Sequence, residues 1–260
     1  MSFRKAQANM KAVVLAGGKG ARLAPYTTIL PKPLMPIGDM PILEVMLLQM
    51  RAAGVDDVAL TVGHLSELLR AFFQDGHQFG LNIDYSYESC PLGTAGPIAL
   101  VNGLDETFLV SNGDVLTTLN LRELIKFHRE QKAIVTIASH HRQSKIDLGV
   151  LQRDGDCRIT GYIEKPTYDF LVSMGIYVFE PAALPYIPRN EYLDFPDLIK
   201  KLIAAGERVV SYEFNGYWED LGRPDDYARA SKDFETMRDQ FLPNGCGELS
   251  YAMENPAFRS

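Results

Sequence analysis

Residues 11–38 read KAVVLAGGKGARLAPYTTILPKPLMPIG. Lys11 to Ala16 is a short apolar run that stops at Gly17-Gly18, the pattern of a buried strand entering a tight loop. The stretch carries Lys11, Lys19, Arg22 and Lys32 and no acid, in a chain whose formal net charge is -7. Glycine frees backbone N–H groups and the cations converge beside them, which is what holding a polyphosphate requires. Pro31, Pro33 and Pro36 then predict an extended, non-helical segment.

Working outward, strand and helix patterns alternate. A helix is predicted from Pro41 to Ala53, with Pro41 in its first turn, Gly54 as its cap, and Leu43, Met46, Leu47 and Met50 at helical spacing. Strands follow at Asp57 to Gly63 and Leu81 to Tyr87, separated by a helix over Ser66 to Gln74. A helix from about Ala95 and a strand at Phe108 to Val110 continue the alternation. This predicts an α/β protein with a Rossmann-like, doubly wound, mostly parallel mixed sheet. The second half is richer in β-structure. A helix at Leu121 to Gln131 leads to strands at Ala133 to Ser139, Gly149 to Gln152, Arg158 to Glu164, Met174 to Phe179 and Val209 to Phe214. The turn Asp154-Gly155-Asp156 joins two of these as a hairpin. Helices are predicted at Pro196 to Ala205 and Asp225 to about Arg238. We read residues 1–10 as a leader and 11–222 as one domain with two lobes. In that domain 11–112 form the first lobe and 113–222 a β-rich second lobe; 223–260 form a C-terminal helix and tail.

Bulk properties narrow the function. With 46% hydrophobic and 23% charged residues, the 260-residue chain has the composition of an ordinary globular protein. Its acidity argues against a broad grip on nucleic acid. No apolar stretch approaches the roughly 18 residues of a membrane span, and the first residues lack the apolar core of a signal peptide. Cys90, Cys157 and Cys246 are far apart and form no Cys-x-x-Cys pair, so the expectation is a reduced, cytoplasmic protein.

The glycine loop is not a Walker A, because Gly18-Lys19-Gly20 is not followed by Ser or Thr. It also fails the dinucleotide fingerprint, since Leu23 stands where the third glycine belongs. The run L-A-G-G-x-G-x-R-L-x-P-x-T-x-x-x-P-K-P-L-x-P-I from Leu15 to Ile37 instead resembles the signature of the sugar-1-phosphate nucleotidylyltransferases. Further segments match in order: Pro91 to Pro97, Asn112-Gly113-Asp114, Gly149-Val150, Glu164-Lys165-Pro166, Gly175-Ile176-Tyr177 and Trp218-Glu219-Asp220-Leu221-Gly222. The resemblance spans residues 11 to about 230 and implies a nucleotide-diphospho-sugar transferase-like fold, with 11–112 as the nucleotide-binding lobe and 113–222 as the sugar-phosphate and metal lobe.

It also implies a reaction between a nucleoside triphosphate and a sugar 1-phosphate, with Mg2+ as cofactor and no nucleic acid or membrane partner. Homo-oligomers are common in the family. Leu15, Ala16, Gly17, Gly18 and Gly20 would hold base and phosphates, together with Glu88, Gly93 and Thr94. Arg22 and Lys32 would neutralise phosphate charge, and Lys165 would hold the sugar phosphate. Asn112, Gly149 and Glu164 would contact the sugar, and Asp114 and Asp220 would hold the metal. Ala21 departs from the pattern, standing where many members have Thr or Ser.

Glu88 bears on the base. A carboxylate accepts two donors side by side, which guanine offers at N1–H and N2–H₂, whereas uracil and thymine flank N3–H with acceptors. Guanine is therefore favoured, and the motifs look most like those of short mannose-1-phosphate guanylyltransferases acting on mannose- or heptose-like phosphates. Too few residues follow Asp220 for the β-helical domain that longer guanylyltransferases carry. A uridylyl- or thymidylyltransferase and a non-catalytic nucleotide-sugar sensor remain the alternatives. Retention of Arg22, Lys32, Asp114, Lys165 and Asp220 argues against the sensor.

Overall fold

A computed structural model describes residues 10–243. The rest of the expected leader, residues 1–9, and the tail from 244 with Cys246 lie outside the described residues, and Met10 already belongs to a strand. In chain order the elements are β1 (Met10–Leu15), β2 (Pro36–Ile37), β3 (Met40–Pro41), α1 (Ile42–Ala53), β4 (Val55–Val62), α2 (Ser66–Phe73) and β5 (Asn82–Tyr87). They continue with β6 (Phe108–Asn112), β7 (Val115–Thr117), α3 (Leu121–Gln131), β8 (Val135–Lys145), β9 (Val150–Arg153), β10 (Ile159–Ile163) and β11 (Thr167–Phe179). The last are α4 (Phe195–Ala204), β12 (Val209–Glu213), β13 (Trp218–Asp220) and α5 (Pro224–Phe241).

Seven strands form one sheet in the order β12-β8-β11-β6-β1-β4-β5. β1 pairs in parallel with β4 and β6, and β4 with β5, while β11 runs antiparallel to both β6 and β8. The sheet is mixed and mostly parallel. Successive side chains of β1 enter opposite layers, as strand geometry demands. Ala12 and Val14 join the core beneath α1, α2 and α3, whereas Val13 packs with Phe108, Phe179, Phe195 and Leu198 on the α4 side. Both faces being covered explains why β1 reads as an unbroken apolar run.

The predicted first helix is α1, and Gly54 closes it at φ 94°, a left-handed conformation that glycine adopts without strain. It is apolar nearly all round because it is sandwiched. Leu43, Met46, Leu47 and Met50 face the sheet, while Ile42, Val45 and Leu48 meet Phe234 and Phe241 of α5. Burying each such side chain is worth about 1.5–3 kcal/mol.

Three expectations change. The helix from Ala95 is a short 3-10 segment over Gly96–Leu100, closed by Ile98 N–H to Ala95 O and Val101 N–H to Ile98 O, both 3.1 Å, because the backbone already turns extended at Val101 and left-handed at Gly103. The proline-rich segment is not wholly extended: Lys32–Leu34 makes one 3-10 turn, closed by Leu34 N–H to Pro31 O at 2.8 Å. Pro33 is tolerated there because the first N–H groups of a turn need no internal partner. The strands predicted at Ala133 to Ser139 and Met174 to Phe179 extend further, into a two-stranded ribbon pairing Ser173 with Ser139 out to Thr167 with Lys145.

Candidate functional site

β1, β4, β5 and β6 run parallel, so their carboxyl ends meet at one edge of the sheet. The register sets Leu15 beside Thr61 on one side and Asn112 on the other. After β1 the chain moves outward to β4 and β5, and only then returns to lay β6 on β1's other side. Ligands bind in such sheets where the strand order reverses, outside the carboxyl ends. A cleft of about 870 Å³ opens there.

Leu15, Ala16, Gly17, Gly18, Gly20 and Arg22 line it, with Lys32, Glu88, Gly93, Thr94, Asn112 and Asp114. Its β1 wall is fixed by backbone bonds from Ala16 N–H to Thr61 O and from Gly113 N–H to Leu15 O, both 2.9 Å. Gly20 has φ 60° and opens the short turn Ala21–Leu23. Thr27 donates its hydroxyl to Gly20 O at 2.8 Å, which pins the loop.

Glu88 follows β5 and packs directly against Gly17, with Oε1 where a Cβ at position 17 would stand. Leu92 N–H donates to its Oε2 at 3.1 Å. Burial pushes the Glu88 carboxyl above the usual range, and the Leu92 bond partly opposes that. Thr94 gives both its N–H and its hydroxyl to Asp194 Oδ1, at 2.9 and 3.1 Å, so its donors serve the protein's own frame.

Lys32 is 7% exposed, an unusual burial for a lysine. Its ammonium makes a short contact with Asp114 Oδ2 and lies 3.5 Å from Asp220 Oδ1. The two acids come from distant parts of the chain. Asp114 follows β6, and Asp220 ends β13, whose antiparallel pairing with β7 sets Asp220 opposite Val115. Leu221 N–H to Asp114 O, at 3.2 Å, closes the junction. Among the described residues no group of three or more His, Cys, Asp or Glu converges as a metal site. Arg22 lies across Gly222, where an added Cβ would come 3.1 Å from its Nη2.

Gly149, Glu164 and Lys165 lie outside the cleft lining, around the β9–β10 hairpin. Tyr162 joins them. Its hydroxyl occupies the space beside Gly149 and donates to Glu164 Oε2 at 3.2 Å. β10 stops at Ile163, and Lys165 adopts φ 45°, uncommon for a residue with a side chain. Its ammonium is 3.7 Å from Glu164 Oε1, in an exposed pair. Asn112, by contrast, faces the cleft from the end of β6, against Gly175, where a Cβ would come 2.5 Å from Asn112 Nδ2.

Sequence reading missed Tyr192, Asp194, Gly63 and Gly222 as parts of the wall. Gly222 sits in a quoted motif and could have been weighed, whereas Tyr192 and Asp194 carry no local signal.

A nucleotidyl transferase family model matches residues 11–237. The chain belongs to that family. Among curated relatives, the mannose-1-phosphate guanylyltransferase of Mycobacterium tuberculosis is 37% identical over 229 residues, covering 85% of this chain and 64% of the relative. The UTP–glucose-1-phosphate uridylyltransferase of Synechocystis is 35% identical over 241 residues, covering 85% and 62%. The chain thus spans less than two thirds of the length of these relatives. A solved structure, titled a putative glucose-1-phosphate thymidylyltransferase from Bacillus anthracis in complex with a sucrose, superposes with a TM-score of 0.70 at 24% identity. It covers 89% of this chain and 98% of its own, and shares the fold. No helix among the described residues is long and apolar enough to cross a membrane.

Proposed function

We propose that the protein joins a nucleoside triphosphate to a sugar 1-phosphate, releasing pyrophosphate, with Mg2+ as cofactor. The observation that carries this reading is the buried Lys32 ammonium between Asp114 and Asp220, at the mouth of the glycine loop that bears Arg22.

A sugar-phosphate oxygen, already anionic, attacks the α-phosphorus. The bond to the αβ-bridging oxygen breaks, and pyrophosphate leaves with the electron pair. No strong base is needed, so rate comes from alignment and charge neutralisation. Backbone N–H groups of the loop from Gly17 to Gly20 face the phosphates, while that of Ala16 is held by Thr61 O. Arg22, held across Gly222, grips the departing pyrophosphate, a placement that can be worth about 10³- to 10⁵-fold in rate. Lys32 neutralises charge near the reacting phosphorus. Asp114 and Asp220 already converge on one cation, and such hard oxygen donors, completed by phosphate oxygens, suit magnesium. Bound there, the ion would screen phosphate charge. Asn112, Gly149, Glu164 and Lys165 are the proposed sugar-phosphate side, which requires the β9–β10 hairpin and the cleft to share one ligand.

For the base, Glu88 supports guanine, as does the relative named a guanylyltransferase. The relative named a uridylyltransferase supports a second reading with UTP. For the sugar we propose a mannose- or heptose-like phosphate. A matrix of GTP, UTP and dTTP against sugar 1-phosphates, read by magnesium-dependent pyrophosphate release, tests all three. Release greatest with GTP supports the guanine reading. Release well above it with UTP or dTTP overturns that reading, and nucleotide binding without release anywhere in the matrix overturns the enzyme.

A further inference from the structure

Tyr192 lines the cleft and is 64% exposed. It is nevertheless fixed. Its hydroxyl donates to Asp194 Oδ2 at 2.7 Å, while the other oxygen of that carboxylate takes the two donors of Thr94. Leu193, between them, is stapled by three backbone bonds: its N–H to Leu92 O at 2.9 Å, and its carbonyl to Ala95 and Gly96. Gly93 leaves room for this, since a Cβ there would come 2.6 Å from Leu193 O.

Leu92 links the two sides of the cleft. Its carbonyl holds the Leu193 N–H, and its own N–H donates to Glu88 Oε2. One residue therefore fixes the backbone that carries Tyr192 against the carboxylate proposed to read the base. A carboxylate that bonds in the plane of a ring and an aromatic face that covers it are the two contacts a nucleobase offers. An ordered aromatic left in water loses rotamer freedom and gains contact only when another ring covers it.

We propose that Tyr192 is the stacking platform for the base of the bound nucleotide. The proposal rests on the nucleotide reading of the cleft given above. It fixes a specificity feature that polyphosphate contacts cannot supply: the base is held by its edge at Glu88 and by its face at Tyr192.

Calorimetric titration of the full chain with GTP, UTP and inorganic tripolyphosphate tests it, on the wild type, Tyr192→Ala and Tyr192→Phe. Tyr192→Ala should weaken the preferred nucleotide by about 5- to 150-fold, the range of base–aromatic stacking. Tripolyphosphate affinity, the KM for sugar 1-phosphate and the melting temperature should not move, and Tyr192→Phe should keep most of the affinity. Equal losses for nucleotide and tripolyphosphate would show a merely structural residue and overturn the proposal. Unchanged nucleotide affinity, or an effect confined to the sugar 1-phosphate, overturns it as well. Binding is read without turnover, so a wild type that binds nucleotide but releases no pyrophosphate sinks the enzymatic reading and leaves the Tyr192 comparison standing.

Discussion

Lys32→Met is the most informative single change. It keeps the length and the apolar stem of the side chain and removes the ammonium from between Asp114 and Asp220. At 3.5 Å, the Asp220 distance, two unit charges interact by about 5 kcal/mol at an effective dielectric near 20. That figure is a ceiling. The Lys32 side chain is 8% exposed, but those of Asp114 and Asp220 are 25% and 42% exposed, so water screens the acids and the desolvation of the lysine offsets part of the gain. The expected net loss of stability is about 1–3 kcal/mol, with two carboxylates left to repel one another. Added magnesium should restore part of this, because a divalent cation takes over the missing charge. Turnover should fall by about 10²- to 10³-fold, the usual effect of deleting one preorganised charge contact to a transition state. Chemical denaturation with and without magnesium, together with steady-state pyrophosphate release, measures both quantities. A folded variant whose kcat/KM stays within about threefold of wild type would refute the idea that Lys32 neutralises the reacting phosphates.

Glu44 makes a pH prediction: burial, with Asp39 adding and Arg238 opposing, pushes its carboxyl up to about 7 from the usual 4.5. The folded protein then holds a proton that the unfolded chain has already lost, so stability should fall as pH rises between about 4.5 and 7, by up to about 3 kcal/mol. Glu44→Gln should remove that slope, and parallel denaturant curves for the two proteins across this range would contradict it. Gly93→Ala should cost about 1–3 kcal/mol, because φ there is 79° and the new Cβ meets Leu193 O; an unchanged melting temperature argues against the clamp. Glu88→Gln keeps an acceptor for Leu92 N–H but replaces one carboxylate oxygen with a donor. The ratio of kcat/KM for GTP over UTP should then drop, and a ratio equal to wild type would remove Glu88 from base reading.

Much of this was legible from residues 11–38 because local chemistry decides them. An apolar run buried on both faces, paired glycines and acid-free cations lead to one arrangement, and α1 carries its own stop signal in Gly54. The ribbon between Ser139 and Thr167 was not legible. Its half of β8, His141 to Lys145, is polar and exposed on both faces, so no alternation marks it, and its length is set by pairing with β11. The helix expected from Ala95 stops after Leu100, where Val101 turns extended and Gly103 adopts φ 71°, too few residues for an α-helix. Asp114 and Asp220 could each be named from their motifs, but their meeting at Lys32 depends on the β7–β13 register, which neither motif encodes. Tyr192 is a lone aromatic in a loop, and only the folded chain gives it a neighbour.

That register has a further consequence for the order in which the site comes into being. The glycine loop, Arg22 and Lys32 belong to the first strand and its loop, yet Asp220 and Gly222 are contributed by a strand that leaves the ribosome far later. A nascent chain that has not yet reached Trp218 holds the cationic wall without the second acid that faces Lys32 or the glycine on which Arg22 rests. Completion of the cleft is thereby tied to completion of the sheet. Placing the last strand of the described chain against the first-made loop postpones the finished cleft until nearly all of that chain exists.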